Sequence, residues 1–261
     1  MLWVVLRRPM IDIHSHVLPA QDDGARNLEQ AVAMLQMAAS AGTSDIVATP
    51  HAGLEYPFDP ESVEIRIREL QAAVGPTPKI HYGCEMRLTP ERIEDALQSA
   101  ERYTIAHGRY LLLEFSDSFV PKTATEIFDR MLARGIRPIV AHPERNPILR
   151  CRLEELENWV AQGCLLQVTA ESLFGRFGNS ARDASLKLMW RQLVHFLASD
   201  AHDTKHRAPL LDEAARYVIR HFGEAVADRL LTSNPRAVLT GIEIESQSVE
   251  REHPKSWFAF W

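Results

Sequence analysis

Two histidines two residues apart, His14 and His16, end a short apolar run, and two aspartates, Asp22 and Asp23, follow within one loop, IDIHSHVLPAQDDGA. In a strand, residues i and i+2 point to the same side, so both imidazoles can converge on one point. Such a pair alone is as readily a surface coincidence, or two hydrogen-bonded core histidines, as a ligand set. Further donors stand at the ends of other apolar runs: His51, Glu85, Glu114, His142, Asp200 and His202. A carboxylate at the end of a buried strand, as in LLLEF or GCE, is costly unless paired or bound to a cation. Ion pairs with arginine would account for one or two of these positions, not for the whole set.

The donor types indicate the chemistry. Imidazole with carboxylate and without thiolate suits Mn2+, Fe2+ or Zn2+ better than a structural cysteine-zinc site. The candidates outnumber what one ion needs, so two or three divalent ions are expected. Clustered ions roughly 3.5–4 Å apart make hydroxide from bound water near neutral pH and clamp phosphoryl oxygens, which points to phosphoester hydrolysis. Arg145, in AHPERNP, and Arg207, in SDAHDTKHRAP, stand in loops beside proposed ligands. A guanidinium fork suits phosphate oxygens. Either Asp22 or Asp23 can serve as the loop's ligand.

These residues need a frame that aims them at one place. Seven apolar runs, MIDIHSH, SDIVATPH, PKIHYGCE, RYLLLEF, IRPIVAHPE, GCLLQVTA and LVHFLASDAH, are each about as long as a buried strand. Amphipathic segments lie between them at 27–41, 62–73, 89–101, 123–134, 152–162, 181–192 and 208–221. The first opens on Asn27, a fitting N-cap, and stops at Gly42. Strand-helix alternation without a long polar linker predicts one parallel α/β domain, closed as a barrel, with the candidate ligands at the C-terminal strand ends.

The bulk properties restrict the function further. A chain of 261 residues with 46% hydrophobic and 25% charged content can build one large domain. A net charge of −6 leaves no footprint for a nucleic-acid backbone. Cys84, Cys151 and Cys164 lack C-x-x-C spacing and are expected to be buried thiols in a reducing compartment. Six positions after them come Pro90, Glu157 and Ala170, so no cysteine-dependent phosphatase loop exists. The opening MLWVVLRRPM fits neither a signal peptide nor a membrane span, and a cytoplasmic protein without a membrane span is expected. The expected organisation is an extension over 1–9, a catalytic domain over 10–243 and a tail over 244–261.

The series DIHSH, DDGA, ATPH, GCE, LLLEF, AHPERN, GRFG and SDAH resembles the PHP superfamily, above all the manganese-dependent tyrosine phosphatases of bacterial capsule and exopolysaccharide loci, the CpsB/YwqE type. The resemblance covers about residues 10–243. It implies a distorted seven-stranded β/α barrel of PHP type, a trinuclear metal centre, and dephosphorylation of the tyrosine-rich tail of a bacterial tyrosine kinase. By position, it implies that His14, His16, Glu85 and Asp200 hold a first ion, and that Glu85 bridges to a second held with Glu114 and His142. His51, His202 and an aspartate of the DDG pair would hold the third, with Asp23 preferred over Asp22 because it directly precedes Gly24, and Arg145 and Arg207 would bind phosphate. Ala52 replaces a histidine common in the family, and Glu171 stands where a small residue is common. The aromatic ending EHPKSWFAFW departs from the family and could serve docking or homo-oligomer contact. The rival readings are a small-molecule PHP phosphatase such as a histidinol-phosphatase, and a PHP module with a decayed metal site that only binds partners. No expected ligand is missing, which argues against the second.

Overall fold

A computed structural model describes residues 9–244. The rest of the expected extension and of the aromatic tail lies outside the described residues. The strands are β1 (Met10–Ser15), β2 (Thr43–Ala48), β3 (His51–Ala52), β4 (Lys79–Tyr82), β5 (Glu85–Arg87), β6 (Tyr110–Glu114), β7 (Arg137–Ala141), β8 (Leu165–Thr169) and β9 (Phe196–Ala198). The helices are α1 (Leu28–Ser40), α2 (Pro60–Val74), α3 (Pro90–Gln98), α4 (Ala124–Ala133), α5 (Leu153–Gln162), α6 (Asn179–Trp190), α7 (Asp212–Phe222), α8 (Glu224–Asp228) and α9 (Asn234–Thr240). The fold is thus mixed α/β, with every strand pairing in the sheets parallel.

Local chemistry explains the element boundaries. The Asn27 side chain accepts from Gln30 N at 2.9 Å, capping α1, and Gly42 follows the helix at φ +95°. Asp59 and Thr89 cap α2 and α3 in the same way, each before a proline in the first turn. Helix α7 begins at Asp212, four residues later than the amphipathic pattern at 208–221 suggests, because Pro209 lies in the preceding loop.

Two of the seven apolar runs are broken. Thr49–Pro50 separates β2 from β3, and Gly83–Cys84 separates β4 from β5. The strands therefore fall into two sheets, ordered β1-β2-β4 and β3-β5-β6-β7-β8-β9. Backbone bonds continue across the breaks: Thr49 N donates to Ser15 O at 2.8 Å and Glu85 N to Pro50 O at 3.1 Å. At the far end, Asp200 N donates to His14 O at 2.9 Å and His16 N to Ala201 O at 2.8 Å, so the segment after β9 lies on β1.

Strand alternation divides the core. On β6, Leu111 and Leu113 join Val140, Leu166 and Leu197 in a large cluster with helix residues such as Phe128, Trp159 and Leu188. Tyr110 and Leu112 join Ile139, Leu165, Phe196 and Ala198 in a smaller one. The second face of β6 continues to Glu114, and that of β8 to Gln167, so the smaller cluster is the floor on which polar groups stand. Cys84 and Cys164 are buried as expected, whereas Cys151 is exposed, because it ends a one-turn 3-10 helix at the surface ahead of α5.

Asp12 fastens β1 to β9. Its carboxylate accepts from Ser199 N at 3.1 Å, Ser199 Oγ at 2.5 Å and His14 N at 3.3 Å, all buried. Burial raises its pKa to about 6, with the Ser199 and His14 bonds opposing. Replacing Asp12 with Ala should leave these donors unpaired and lower unfolding stability by about 3 kcal/mol. Urea denaturation measures this, and a change under about 0.5 kcal/mol would show that the junction does not depend on Asp12.

Candidate metal centre

The C-terminal ends of β1, β6 and β7, the first residues of β3 and β5 and the segment after β9 meet at a cluster of acids and imidazoles. His14 and His16 project from the end of β1 with their Nε2 atoms 3.3 Å apart. Each ring is held from behind: His14 Nδ1 by Gln167 Oε1 at 2.9 Å, and His16 Nδ1 by Asp22 Oδ2 at 2.7 Å. A partner on the rear nitrogen fixes tautomer and ring plane, which leaves Nε2 to face a ligand.

Strand register supplies the next pairs. His51 and Glu85 open β3 and β5 rather than ending the longer apolar runs, and they sit opposite one another in the ladder, as do Arg87 and Glu114. Glu85 is 1% exposed and faces four imidazoles. Its Oε1 lies 2.8 Å from His142 Nε2 and 3.4 Å from His14 Nε2; its Oε2 lies 3.0 Å from His51 Nδ1 and 3.5 Å from His16 Nε2. Glu114 Oε2 is 4.0 Å from His51 Nδ1 and accepts from Arg87 Nη1 at 2.9 Å.

The DDG loop separates its two aspartates. Asp22 Oδ2 accepts from His16 Nδ1 and from His51 N at 3.0 Å, and its Oδ1 accepts from Gly24 N at 3.0 Å. Asp23 Oδ1 instead lies 3.3 Å from His51 Nε2 and 3.4 Å from His202 Nε2. Gly24 is required by close approach, since a Cβ there would fall 2.0 Å from His16 O. His202 is turned toward Asp23 by its own Nδ1–H, which donates to Asp200 O at 3.0 Å.

Asp200 connects the imidazoles to the arginines. Its Oδ1 lies 3.3 Å from His14 Nε2 and 3.4 Å from His16 Nε2, while its Oδ2 accepts from Arg207 Nη2 at 2.5 Å and also from Arg145 Nη1. His142 and Asp200 both have positive φ, 31° and 51°, a conformation costly for side chains larger than glycine and concentrated at functional sites.

Four overlapping groups could each hold a cation: His16, Asp23, His51 and His202; His14, His16 and Glu85; His14, His142 and Asp200; and His51, Glu85 and Glu114. Within each, the ligand atoms lie within 4.8 Å of one another. All the expected ligands enter a group except Asp22, whose oxygens are taken up by His16, Gly24 and His51. Donors limited to imidazole and carboxylate, mostly buried and mutually facing, fit divalent cations.

Electrostatics describe the same arrangement without ions. Burial opposes charge throughout, yet His14 and the other facing imidazoles hold Glu85 well below the usual carboxylate range, and His14, His16 and the two arginines do so for Asp200. Burial pulls His51 down, but Asp23 and Glu85 outweigh it and raise the ring to about 10. His14 and His16 are raised against burial by their carboxylate neighbours, whereas burial and His16 lower His202. Burial and the nearby Glu85 raise Glu114.

Several residues beside the ligands were not singled out from sequence. Gln167 orients His14; its signal was an amide inside the apolar run GCLLQVTA. Glu144 is buried and accepts from Thr169 N at 3.0 Å and Ser172 Oγ at 2.7 Å, tying the loop of His142 and Arg145 to β8. Arg87 flanks the site with no sequence signal beyond its type, and Phe177 flanks it from within the GRFG motif, which gave no role to the ring. Among the lone histidines, His81 pairs with Asp45 at 2.9 Å and His195 is buried, both away from the cluster. A cavity of about 260 Å³ lined by Pro9, Thr232, Ser233 and Arg236 adjoins the N-terminal end of β1, opposite the cluster.

Known proteins share this chain's sequence and fold. The sequence profile of a family described as "Capsular polysaccharide synthesis, CpsB/CapC" matches residues 10–240. A protein described as a putative tyrosine-protein phosphatase, CapC of Staphylococcus aureus, is 35% identical over 95% of this chain and 99% of its own. The tyrosine-protein phosphatase YwqE of Bacillus subtilis is 33% identical over 97% of this chain and 100% of its own. A solved structure from work on YwqE and Streptococcus pneumoniae CpsB, described as metal-dependent tyrosine phosphatases, superposes with a TM-score of 0.85 at 34% identity, covering 91% of this chain and 97% of that one.

His51, which Asp23 and Glu85 raise to about 10 against burial, carries a proton at pH 7, and ligation requires the ring neutral. Adding Mn2+ should therefore release about one proton per chain, and affinity should rise with pH. Calorimetry in buffers of different ionisation enthalpy reads this number; a value of zero would mean the imidazoles are already neutral. Because His51 is raised from 6.5 to about 10, its pairing stabilises the ion-free fold fully below pH 6.5 and fades as pH climbs through 10. Gly24→Ala, which forces the DDG loop off His16, should lower the metal-to-protein ratio, measured by elemental analysis; an unchanged ratio would detach that loop from the site.

Proposed function

The chain belongs to the CpsB/CapC family of capsular polysaccharide synthesis, and from that premise we infer that it is a metal-dependent protein tyrosine phosphatase. One observation carries the reading at the level of chemistry: buried Glu85 faces four imidazoles, and Asp200 shares its carboxylate between the same cluster and two arginines. The metal ligands are His14, His16, Asp23, His51, Glu85, Glu114, His142, Asp200 and His202, with Asp22 holding His16 rather than an ion. Glu85 is the shared ligand, since its two oxygens face different imidazoles. Mn2+ is the proposed metal for this mixed set of imidazoles and carboxylates, with Fe2+ and Zn2+ as the competitors for it. The proposed fold is a distorted seven-stranded barrel of PHP type, a reading supported by counting β2 with β3 and β4 with β5 each as one interrupted strand. Residues 10–243 form the catalytic domain.

Bound divalent ions would supply an ionised water near neutral pH and positive charge beside the phosphoryl oxygens. The protein's part is positioning. Arg145 and Arg207 each keep guanidinium donors beyond the one spent on Asp200. Those donors neutralise charge that builds on the phosphoryl oxygens. A phenol leaves readily, with a pKa of about 10, so no strong general acid is demanded. The proposed substrate is the phosphotyrosine tail of a bacterial tyrosine kinase that governs capsule or exopolysaccharide synthesis, and a cytoplasmic site of action goes with it. Among the described residues no helix is long and apolar enough to cross a membrane.

The test compares a phosphotyrosine peptide with histidinol phosphate across Mn2+, Zn2+, Fe2+ and Mg2+. Turnover should favour the peptide and disappear with chelator. Glu85→Gln should lose metal and activity together. Arg145→Ala and Arg207→Ala should keep metal, since Asp200 Oδ1 rather than Oδ2 faces the imidazoles, and should lower kcat/KM by roughly 10²–10³. Turnover that survives metal removal, or a preference for histidinol phosphate, would overturn the assignment.

A further inference from the structure

Phe177 belongs to none of the ligand groups, yet it lies under both proposed phosphate-binding arginines. The Arg145 guanidinium carbon is 4.2 Å from the ring centroid and that of Arg207 is 5.9 Å away. The three residues come from three different loops, after β7, β8 and β9. Two like-charged guanidinia converge on one oxygen of Asp200, and the nearby acids Glu144 and Glu85 also favour the charged Arg145, but none of these carboxylates fixes the plane of either guanidinium. An aromatic face carries partial negative charge and attracts cations within about 6 Å of its centroid.

The loop is built to hold the ring there. Gly175 and Gly178 bracket the residue with φ of +77° and +90°, and Gly178 N donates to Gly175 O at 2.9 Å, closing a tight turn. Arg176 is drawn the other way, its Nε pairing with Glu171 Oε1 at 3.0 Å. The turn therefore presents the aromatic residue, and not the neighbouring cation, to the arginine pair.

We propose that Phe177 is a positioning residue of the phosphate clamp, which acts by fixing the Arg145 and Arg207 guanidinium planes so that their unspent donors face the phosphoryl group. This rests on the phosphate-binding role assigned above to the two arginines. A leucine at 177 would fill much of the space but offer no π face; a tyrosine would keep the face.

The experiment measures kcat/KM on an aryl phosphate, inhibition by inorganic phosphate, metal content and melting temperature, in the metal-loaded full chain. Phe177→Leu should lose about tenfold in kcat/KM and bind inorganic phosphate correspondingly more weakly, with metal content and melting temperature unchanged. Phe177→Tyr should stay within about twofold of wild type. In an Arg145→Ala background the Leu substitution should cost much less, because one of its two targets is gone. The proposal is overturned if Phe177→Leu matches wild type, if Tyr does not rescue, or if the Leu penalty is undiminished in the Arg145→Ala background. Full activity of Arg145→Ala and Arg207→Ala would instead remove the clamp itself. Impaired arginine variants beside a normal Phe177→Leu would remove only the role of Phe177.

Discussion

A carboxylate shut off from water stays ionised only if cations or donors surround it, and Glu85 is the group on which this site depends. It is 1% exposed, and the imidazoles of His14, His16, His51 and His142 all lie within 3.5 Å of its two oxygens. The carboxylates of Asp22, Asp23, Glu114 and Asp200 crowd the same space, against the guanidinia of Arg87, Arg145 and Arg207. Part of the excess negative charge is met by His51, whose ring Asp23 and Glu85 raise to about 10. Divalent cations can take over that task, which is why an arrangement so costly for packing alone makes sense as a ligand cage.

The rest of the architecture serves that cage. Breaks after Ala48 and Tyr82 let β3 and β5 start afresh, so that His51 and Glu85 become direct ladder neighbours. Asp12 draws the end of β9 onto β1, and this brings Asp200 to His14 and His16. Asp22, Gln167 and the Asp200 carbonyl each occupy the rear of one imidazole and aim its other nitrogen inward.

Much of this was legible in the chain. The alternation of apolar runs and amphipathic segments announces parallel α/β architecture, and helix α1 runs between the Asn27 and Gly42 signals that bound it. The donors could be picked out because acids and histidines at the ends of apolar runs are expensive to bury. What was not legible depends on distances in space. Strand breaks at Thr49–Pro50 and Gly83–Cys84 left the number of paired segments unreadable. Asp22 and Asp23 are adjacent and chemically identical, and only the turn of the loop over Gly24 sends one behind His16 and the other toward His51 and His202. The meeting of Arg145, Arg207 and Phe177 joins three loops, so no local pattern could reveal it. Cys151 misled because its type suggests burial while its place on a surface turn decides otherwise.

The central claim is that Glu85 is shared between ions in a cluster built from these strand ends. Anomalous diffraction at the manganese edge, from crystals of the Mn2+-loaded protein, addresses it directly. The account predicts two or three peaks roughly 3.5–4 Å apart, with the two oxygens of Glu85 bound to different ions and Asp23, not Asp22, in contact with one of them. A single peak away from Glu85, or a Glu85 that still bonds only to imidazoles, would contradict it.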